Sequence, residues 1–134
     1  MRSMHTSAER TYVSGTIVAV QVGPVKHKGL VSDRTMGGLP MVISNSKKLG
    51  CVAEEPWWQF AEGRLVEVRG YPGRLRPQDV LARARLRLGQ PWTLSFNCEH
   101  FVNYAHGLDE RSPTLRQAVA ASLALFVLAM LSSK

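Results

Sequence analysis

The pattern of apolar residues changes near Pro77, and this change limits the folds open to the chain. Before Pro77, short runs rich in β-branched residues alternate with turns that contain glycine or proline, which is typical of strands. After it, apolar residues recur at helical spacing over 77–88, with proline at the start and Gly89 just past the end. A block of strands followed by helices predicts an α+β domain with an antiparallel sheet.

The strand block contains five predicted strands. In the second, His27, Gly29 and Val31 share one face because side chains alternate along a strand. Residues 33–39, with their Gly-Gly pair, are predicted to form the turn that follows. The strands are predicted at 14–22, 26–32, 40–46, 51–54 and 64–69, and the helices at 77–88, 97–107 and 114–131.

The charge of the chain favours an anionic partner. Its 134 residues suit one domain, and 17 lysines and arginines against 10 acidic residues give a net charge of +7. The arginines between Arg64 and Arg87 are spread over a strand, a loop and a helix, without interleaved aromatic residues for base stacking. We therefore expect no nucleic acid, and an anionic phospholipid surface fits better.

Two cysteines, Cys51 and Cys98, are too few for a disulfide scaffold or a closed zinc site, and the sequence leaves open whether they pair with each other. No other cluster of potential ligands stands out, so we expect neither a metal nor a cofactor. The N-terminal residues 1–10 contain no apolar run, and a cleaved secretory signal is not expected.

The stretch FNCEHF places Cys98 at the start of a predicted helix. His100 cannot contact the thiol, because residues two apart on a helix point about 200° away from each other. Free N–H groups and the helix dipole favour a thiolate at this position, so we expect a lowered pKa. A thiolate nucleophile needs a base from elsewhere in the chain. The alternative is a buried cysteine with a structural role.

Two segments resemble a known family. GTIVAVQVGPVKHKGLVSD and DVLARARLRLGQPWTLSFNCEHFVNYAHG are similar to the two signature segments of the lecithin:retinol acyltransferase-like domain. That domain belongs to the permuted NlpC/P60 papain-like thiol enzymes, in which the catalytic histidine precedes the cysteine. The resemblance covers about residues 15–107. It implies an N-terminal tail over 1–12, a catalytic domain over 13–110 and a hydrophobic helix over 111–134.

The resemblance also implies catalytic roles. Cys98 takes the position of the nucleophile and His27 that of its base. The third position, usually histidine, falls on Ser44, whereas its neighbour Asn45 is chemically better suited to orient an imidazole. Only one of these neighbours can face His27; the alignment favours Ser44.

Near the nucleophile, Asn97 could donate its side-chain amide, and the backbone N–H of Cys98 is the natural oxyanion donor. His100 is expected to tie the helix to the sheet, and no catalytic role is expected for Glu99.

The implied function is a thiol-dependent acyl hydrolase or acyltransferase that acts on lipid acyl esters through a thioester on Cys98. One alternative is a peptidase or amidase of cell-wall or protein substrates, as in NlpC/P60 enzymes. A second alternative is a catalytically weak lipid-binding domain, since serine replaces histidine at position 44.

The C-terminal segment 118–131 is uncharged and apolar all round. Its helix would span roughly 21 Å, less than the 30 Å or so of a hydrocarbon core, so a buried core helix is a serious alternative. Arg116 and Lys134 flank it as snorkelling residues would. We interpret it as a membrane-associating tail on an otherwise cytoplasmic protein.

Overall fold

The structure, a computed structural model, describes residues 12–108, and the predicted C-terminal helix lies outside them. The described part is α+β, as the change in sequence pattern predicts. It contains a five-stranded antiparallel sheet and three helices. The elements are β1 (Ile17–Val22), β2 (Val25–Met36), β3 (Leu39–Ser46), β4 (Cys51–Glu55), α1 (Trp57–Ala61), β5 (Glu67–Gly70), α2 (Pro77–Leu86) and α3 (Cys98–Ala105).

The sheet order is β4-β3-β2-β1-β5, and every neighbouring pair is antiparallel. The first four strands therefore follow one another as hairpins, and β5 returns to the outer edge of β1. Gly37 and Gly38 close the β2–β3 hairpin with φ of 67° and 82°, backbone angles that residues other than glycine rarely adopt. In this arrangement β2 is the central strand.

Apolar residues pack on both faces of the sheet. On one face, α2 and α3 cover a cluster that includes Leu30, Ile43 and Phe101. On the other, Phe60 of α1 packs on Val31 and Val42. Because alternate residues of each strand serve opposite faces, β2 and β3 contribute to both clusters.

Three connecting segments meet at one end of the sheet. The β1–β2 turn lies at this end, and so does the β3–β4 turn, because β1 and β3 both run toward it. The loop before α3 joins them, since Cys51 bridges to Pro91 and Asn45 donates a hydrogen bond to the carbonyl of Phe96 over 2.8 Å. The N-terminus of α3 is thereby held against the start of β2.

Several predicted boundaries are wrong. Strand β2 continues to Met36, where a turn over 33–39 is predicted, because Thr35 and Met36 pair with the first residues of β3. The short helix α1 is missing from the prediction, since its five residues span little more than one turn and are too few to establish a helical period. Smaller shifts occur at β1, which starts at Ile17, at β5, which starts at Glu67, and at α2, which ends at Leu86.

The packing of α3 on the sheet predicts the effect of truncating its main anchor. Phe101 is fully buried and meets Phe96 edge-to-face with ring centroids 6.5 Å apart. Phe101→Ala should lower the free energy of unfolding by about 3–5 kcal/mol through lost burial and a residual cavity. Leu94→Ala is the matched control, because Leu94 is 79% exposed, and should change it by less than about 0.5 kcal/mol. Equal effects of the two changes in urea titrations would contradict this packing.

Candidate active site

The site begins with an unpaired stretch of backbone at the start of β2. Val31 exchanges hydrogen bonds with the Gly15 N–H and the Thr16 carbonyl beside β1, so odd-numbered residues of β2 bond toward β1. Even-numbered residues therefore bond toward β3, whose pairing with β2 begins only at Gly29. The Lys26 carbonyl and the Lys28 N–H consequently face an open edge.

The thiol of Cys98 lies at this open edge. Its Sγ atom is 3.9 Å from the carbonyl oxygen of Lys26, to which the thiol donates a hydrogen bond. The backbone N–H of Lys28 also bonds the sulfur. The thiol thus sits against the two residues that flank His27, in the place where β3 would otherwise pair.

The start of α3 is fixed by its own side chains. The Asn97 Oδ1 accepts hydrogen bonds from the N–H groups of Glu99 and His100, at 3.0 and 3.2 Å, and the Asn97 N–H donates to His100 Nδ1 at 3.1 Å. Asn97 therefore acts as the helix N-cap, and His100 completes a capping box within its own helix. The predicted tie of His100 to the sheet stays a prediction. The caps do not use the N–H of Cys98.

A cleft of about 990 Å³ opens at this end of the sheet, and Cys98 and His27 both line it. Apolar atoms, including those in the stems of lysines and arginines, supply most of its exposed surface. Charged side chains nevertheless outnumber apolar ones in the lining. Its lining includes Val22, Val25, Lys26, His27, Lys28, Ser46, Lys47, Lys48, Leu49, Glu55, Phe60, Glu62, Arg64, Trp92, Leu94, Asn97, Cys98 and Glu99. The structure thus brings the two predicted catalytic residues to one cavity from positions 71 apart in the chain.

Burial favours the neutral form of both candidate catalytic groups. It raises the pKa of the Cys98 thiol, and the N–H groups of Lys28 and Glu99 only partly oppose this. It also lowers the pKa of His27, against a smaller raising effect of the Glu62 carboxylate. The lowered thiol pKa expected from the helix start is therefore wrong, because desolvation of the thiolate outweighs the N–H groups around it.

The strand register separates Ser44 from Asn45. Ser44 pairs with Gly29 and so shares the sheet face of His27, whereas Asn45 points to the opposite face, toward Phe96. Asn45 is thus a structural tether for the loop before α3 and does not face the imidazole. Ser44 is fully buried, and its hydroxyl has no hydrogen-bond partner, so it does not bond His27 either.

Acidic residues in the cleft were not anticipated from the sequence. Glu55 is 6% exposed at the end of β4 and hydrogen-bonds Gln59, and burial raises the pKa of its carboxyl. Glu62 pairs with Lys48 at 2.6 Å at the end of α1. Glu99 pairs with Lys28 at 3.0 Å and so joins α3 to β2. Nothing in the sequence pattern distinguishes Glu55 and Glu62 from surface charges, whereas Glu99 is the neighbour of Cys98 for which no catalytic role is expected.

The structure also bears on the disulfide, on a metal site and on a membrane-spanning helix. Both cysteines are free thiols, which answers the question of a disulfide. Among residues 12–108, no group of three or more histidine, cysteine or acidic side chains could hold a metal ion. Within the same residues, no helix has the length and apolar character needed to cross a bilayer.

Comparison with known proteins does not assign a family. No protein-family model matches the chain, and no curated protein is significantly similar to it. The chemistry of the site must therefore be argued from its own geometry.

The neutral state of the thiol predicts slow alkylation at neutral pH. In a Cys51→Ala background, so that only Cys98 reacts, the rate of iodoacetamide alkylation should rise with a midpoint above about 8.5, the ordinary thiol value. His27→Ala should not raise this midpoint, because a neutral imidazole contributes no charge to stabilise the thiolate. A midpoint near pH 6, raised by His27→Ala, would instead indicate a preformed thiolate–imidazolium pair.

Proposed function

We propose that the cleft is the active site of a thiol-dependent acyl hydrolase or acyltransferase that acts on lipid acyl esters. The observation that carries the proposal is the placement of Cys98, at the N-terminus of α3, against the β2 residues that flank His27. The order of histidine strand, third-position strand and cysteine helix suits a permuted papain-like domain of the lecithin:retinol acyltransferase-like type. The antiparallel sheet beneath α3 is compatible with that fold.

The neutral pair defines the first chemical step. As the carbonyl carbon of the acyl ester approaches Sγ, the imidazole of His27 accepts the thiol proton and the S–C bond forms. The proton transfer requires the thiol to turn from the Lys26 carbonyl toward the imidazole. The Cys98 N–H, which the helix caps leave unused, donates to the developing oxyanion.

The second step releases the product and restores the enzyme. The tetrahedral adduct collapses, the C–O bond breaks, and the leaving alkoxide takes the proton from the imidazolium, leaving an acyl thioester on Cys98. Neutral His27 then accepts a proton from water or from an acceptor alcohol or amine, which attacks the thioester. The thiolate departs and recovers the proton from His27, so that neither an oxidant nor a cofactor is required.

The cleft supports a lipid donor over a peptide. Most of its exposed atoms are apolar, in part from the stems of its lysines and arginines, which suits an acyl chain, and it has room for one. Lysines at the same cavity, including Lys26, Lys47 and Lys48, suit an anionic headgroup or an anionic membrane surface. Association through the C-terminal helix would hold the cleft at a bilayer, although that segment lies outside the described residues. Cleavage of cell-wall or protein amides is the alternative that this apolar lining makes less suitable.

One observation favours the second alternative, a lipid-binding domain with weak catalytic activity. The Ser44 hydroxyl, at the position where the family has an orienting histidine, makes no hydrogen bond to the imidazole. An unoriented base lowers the rate of proton transfer while leaving the apolar cleft able to bind a chain.

Fatty-acid release from phospholipid vesicles by the purified full chain tests the proposal. Cys98→Ala should abolish release, because the thioester cannot form, and His27→Ala should slow it by about 10²–10⁴-fold. Cys51→Ala is the matched control, since Cys51 does not line the cleft, and should retain full activity. Loss of activity in Cys51→Ala with retention in Cys98→Ala would place the chemistry elsewhere.

The alternatives give different outcomes in the same series. Cys98-dependent cleavage of peptidoglycan peptides without fatty-acid release would support an amidase. Vesicle binding without either reaction would support the lipid-binding domain.

A further inference from the structure

The aromatic stretch PWWQF forms α1, and its third aromatic residue points toward the site. Trp57 packs beside Tyr12 with ring centroids 5.1 Å apart. Trp58 is 54% exposed, and its ring lies near Gly37. Phe60, by contrast, is 3% exposed and lies on the face of the sheet that carries His27. The chemistry proposed above does not use this residue.

Gly29 makes room for the ring of Phe60. A Cβ atom at position 29 would lie 2.5 Å from Val42 Cγ1, closer than real Cβ atoms approach, and 3.0 Å from Phe60 Cε1, which is a tight contact. Gly29 lies within β2 rather than in a turn. A glycine inside a strand weakens it and marks a close approach of other groups, which here are the side chain of Val42 and, beside it, the Phe60 ring.

The same ring contacts the imidazole. The ring centroids of Phe60 and His27 are 5.2 Å apart with an interplanar angle of 35°. His27 and Gly29 are two residues apart on one strand face, so a single aromatic ring covers the glycine and abuts the histidine. Ser44, which pairs with Gly29 on that face, leaves its hydroxyl without a partner and does not hold the ring. Packing therefore replaces the orienting hydrogen bond that a third polar residue would provide.

We propose that Phe60 is the positioning residue for His27: its ring, admitted by Gly29, holds the imidazole in the orientation needed to accept the proton of Cys98. This inference rests on the proposed function for the reaction it serves. Phe60 touches the base and not the reacting atoms, so it acts on catalysis only through His27.

The electrostatic surroundings of His27 give the sign of the expected effect. The Glu62 carboxylate at the end of α1 raises the pKa of the imidazole and is itself paired with Lys48 and Arg64. Burial, to which the Phe60 ring contributes, lowers the pKa more strongly, and the Cys98 thiol on α3 is neutral. Removing the ring admits water, so the pKa of His27 should rise toward its ordinary value of about 6.5.

The test is an NMR titration of the His27 imidazole in the full chain, together with steady-state acyl-ester kinetics. Phe60→Leu should raise the His27 pKa and lower kcat on the order of tenfold to a hundredfold with KM little changed, because the base is misplaced while the cleft remains. Phe60→Tyr keeps the ring and should restore both values. Trp58→Leu is the matched control on the same helix and should titrate as the wild type.

Two results would overturn the proposal. One is a folded Phe60→Leu variant in which His27 titrates as in the wild type with unchanged kcat. The other is a loss of activity that only follows the folded fraction and that Phe60→Tyr does not restore. If leucine prevents folding, Phe60→Met fills the same space with a flexible chain and gives the same comparison. Because the titration uses no substrate, absence of acyl turnover in the wild type would count against the proposed function separately from the positioning role.

Discussion

The site depends on one mismatch in strand pairing. β2 begins at Val25, but β3 pairs with it only from Gly29 onward, so the Lys26 carbonyl and the Lys28 N–H are left facing an open edge. Backbone groups in such a place need a partner, and the Cys98 thiol supplies one. The N-cap of α3 and the Asn45 tether to Phe96 both serve to keep the helix start at this edge. A β3 that paired along the whole of β2 would exclude the thiol.

The burial that results from this arrangement sets the charge state of the pair. A thiol enclosed between β2 and α3 is costly to ionise, and the imidazole under Phe60 is costly to protonate. The resting pair is therefore neutral, and in the proposed reaction charge develops on it only as the sulfur attacks an acyl carbonyl. Such a site avoids an exposed thiolate, which would be open to oxidation and adventitious alkylation.

The sequence predicts the parts of this site that depend on local patterns. Cys98 follows a break and begins a helix, and His27 lies on a strand after a Gly-Pro turn, so both could be located before the structure was known. Period-two alternation shows that Ser44 and Asn45 face opposite sides, but only the register with Gly29 shows which one shares the face of His27.

Other features depend on contacts between distant segments. The fit of Phe60 over Gly29 joins residues 31 apart and has no signature in either segment. The continuation of β2 through Asp33 and Arg34 is hidden by their charge, which Arg85 and Glu54 neutralise from α2 and β4. The raised thiol pKa was missed because the helix start is visible in the sequence whereas the depth of burial is not.

The central claim is that Cys98 carries the acyl group during turnover. The most direct measurement is mass spectrometry of the full chain after brief incubation with mixed phospholipids at pH 7, followed by digestion to locate any added mass. If Cys98 forms the thioester, a fatty-acyl group will be found on the Cys98 peptide, and hydroxylamine will release it. The same group will be absent from the Cys98→Ala variant. Fatty-acid release without any acyl adduct on Cys98, or an adduct confined to Cys51, would contradict it.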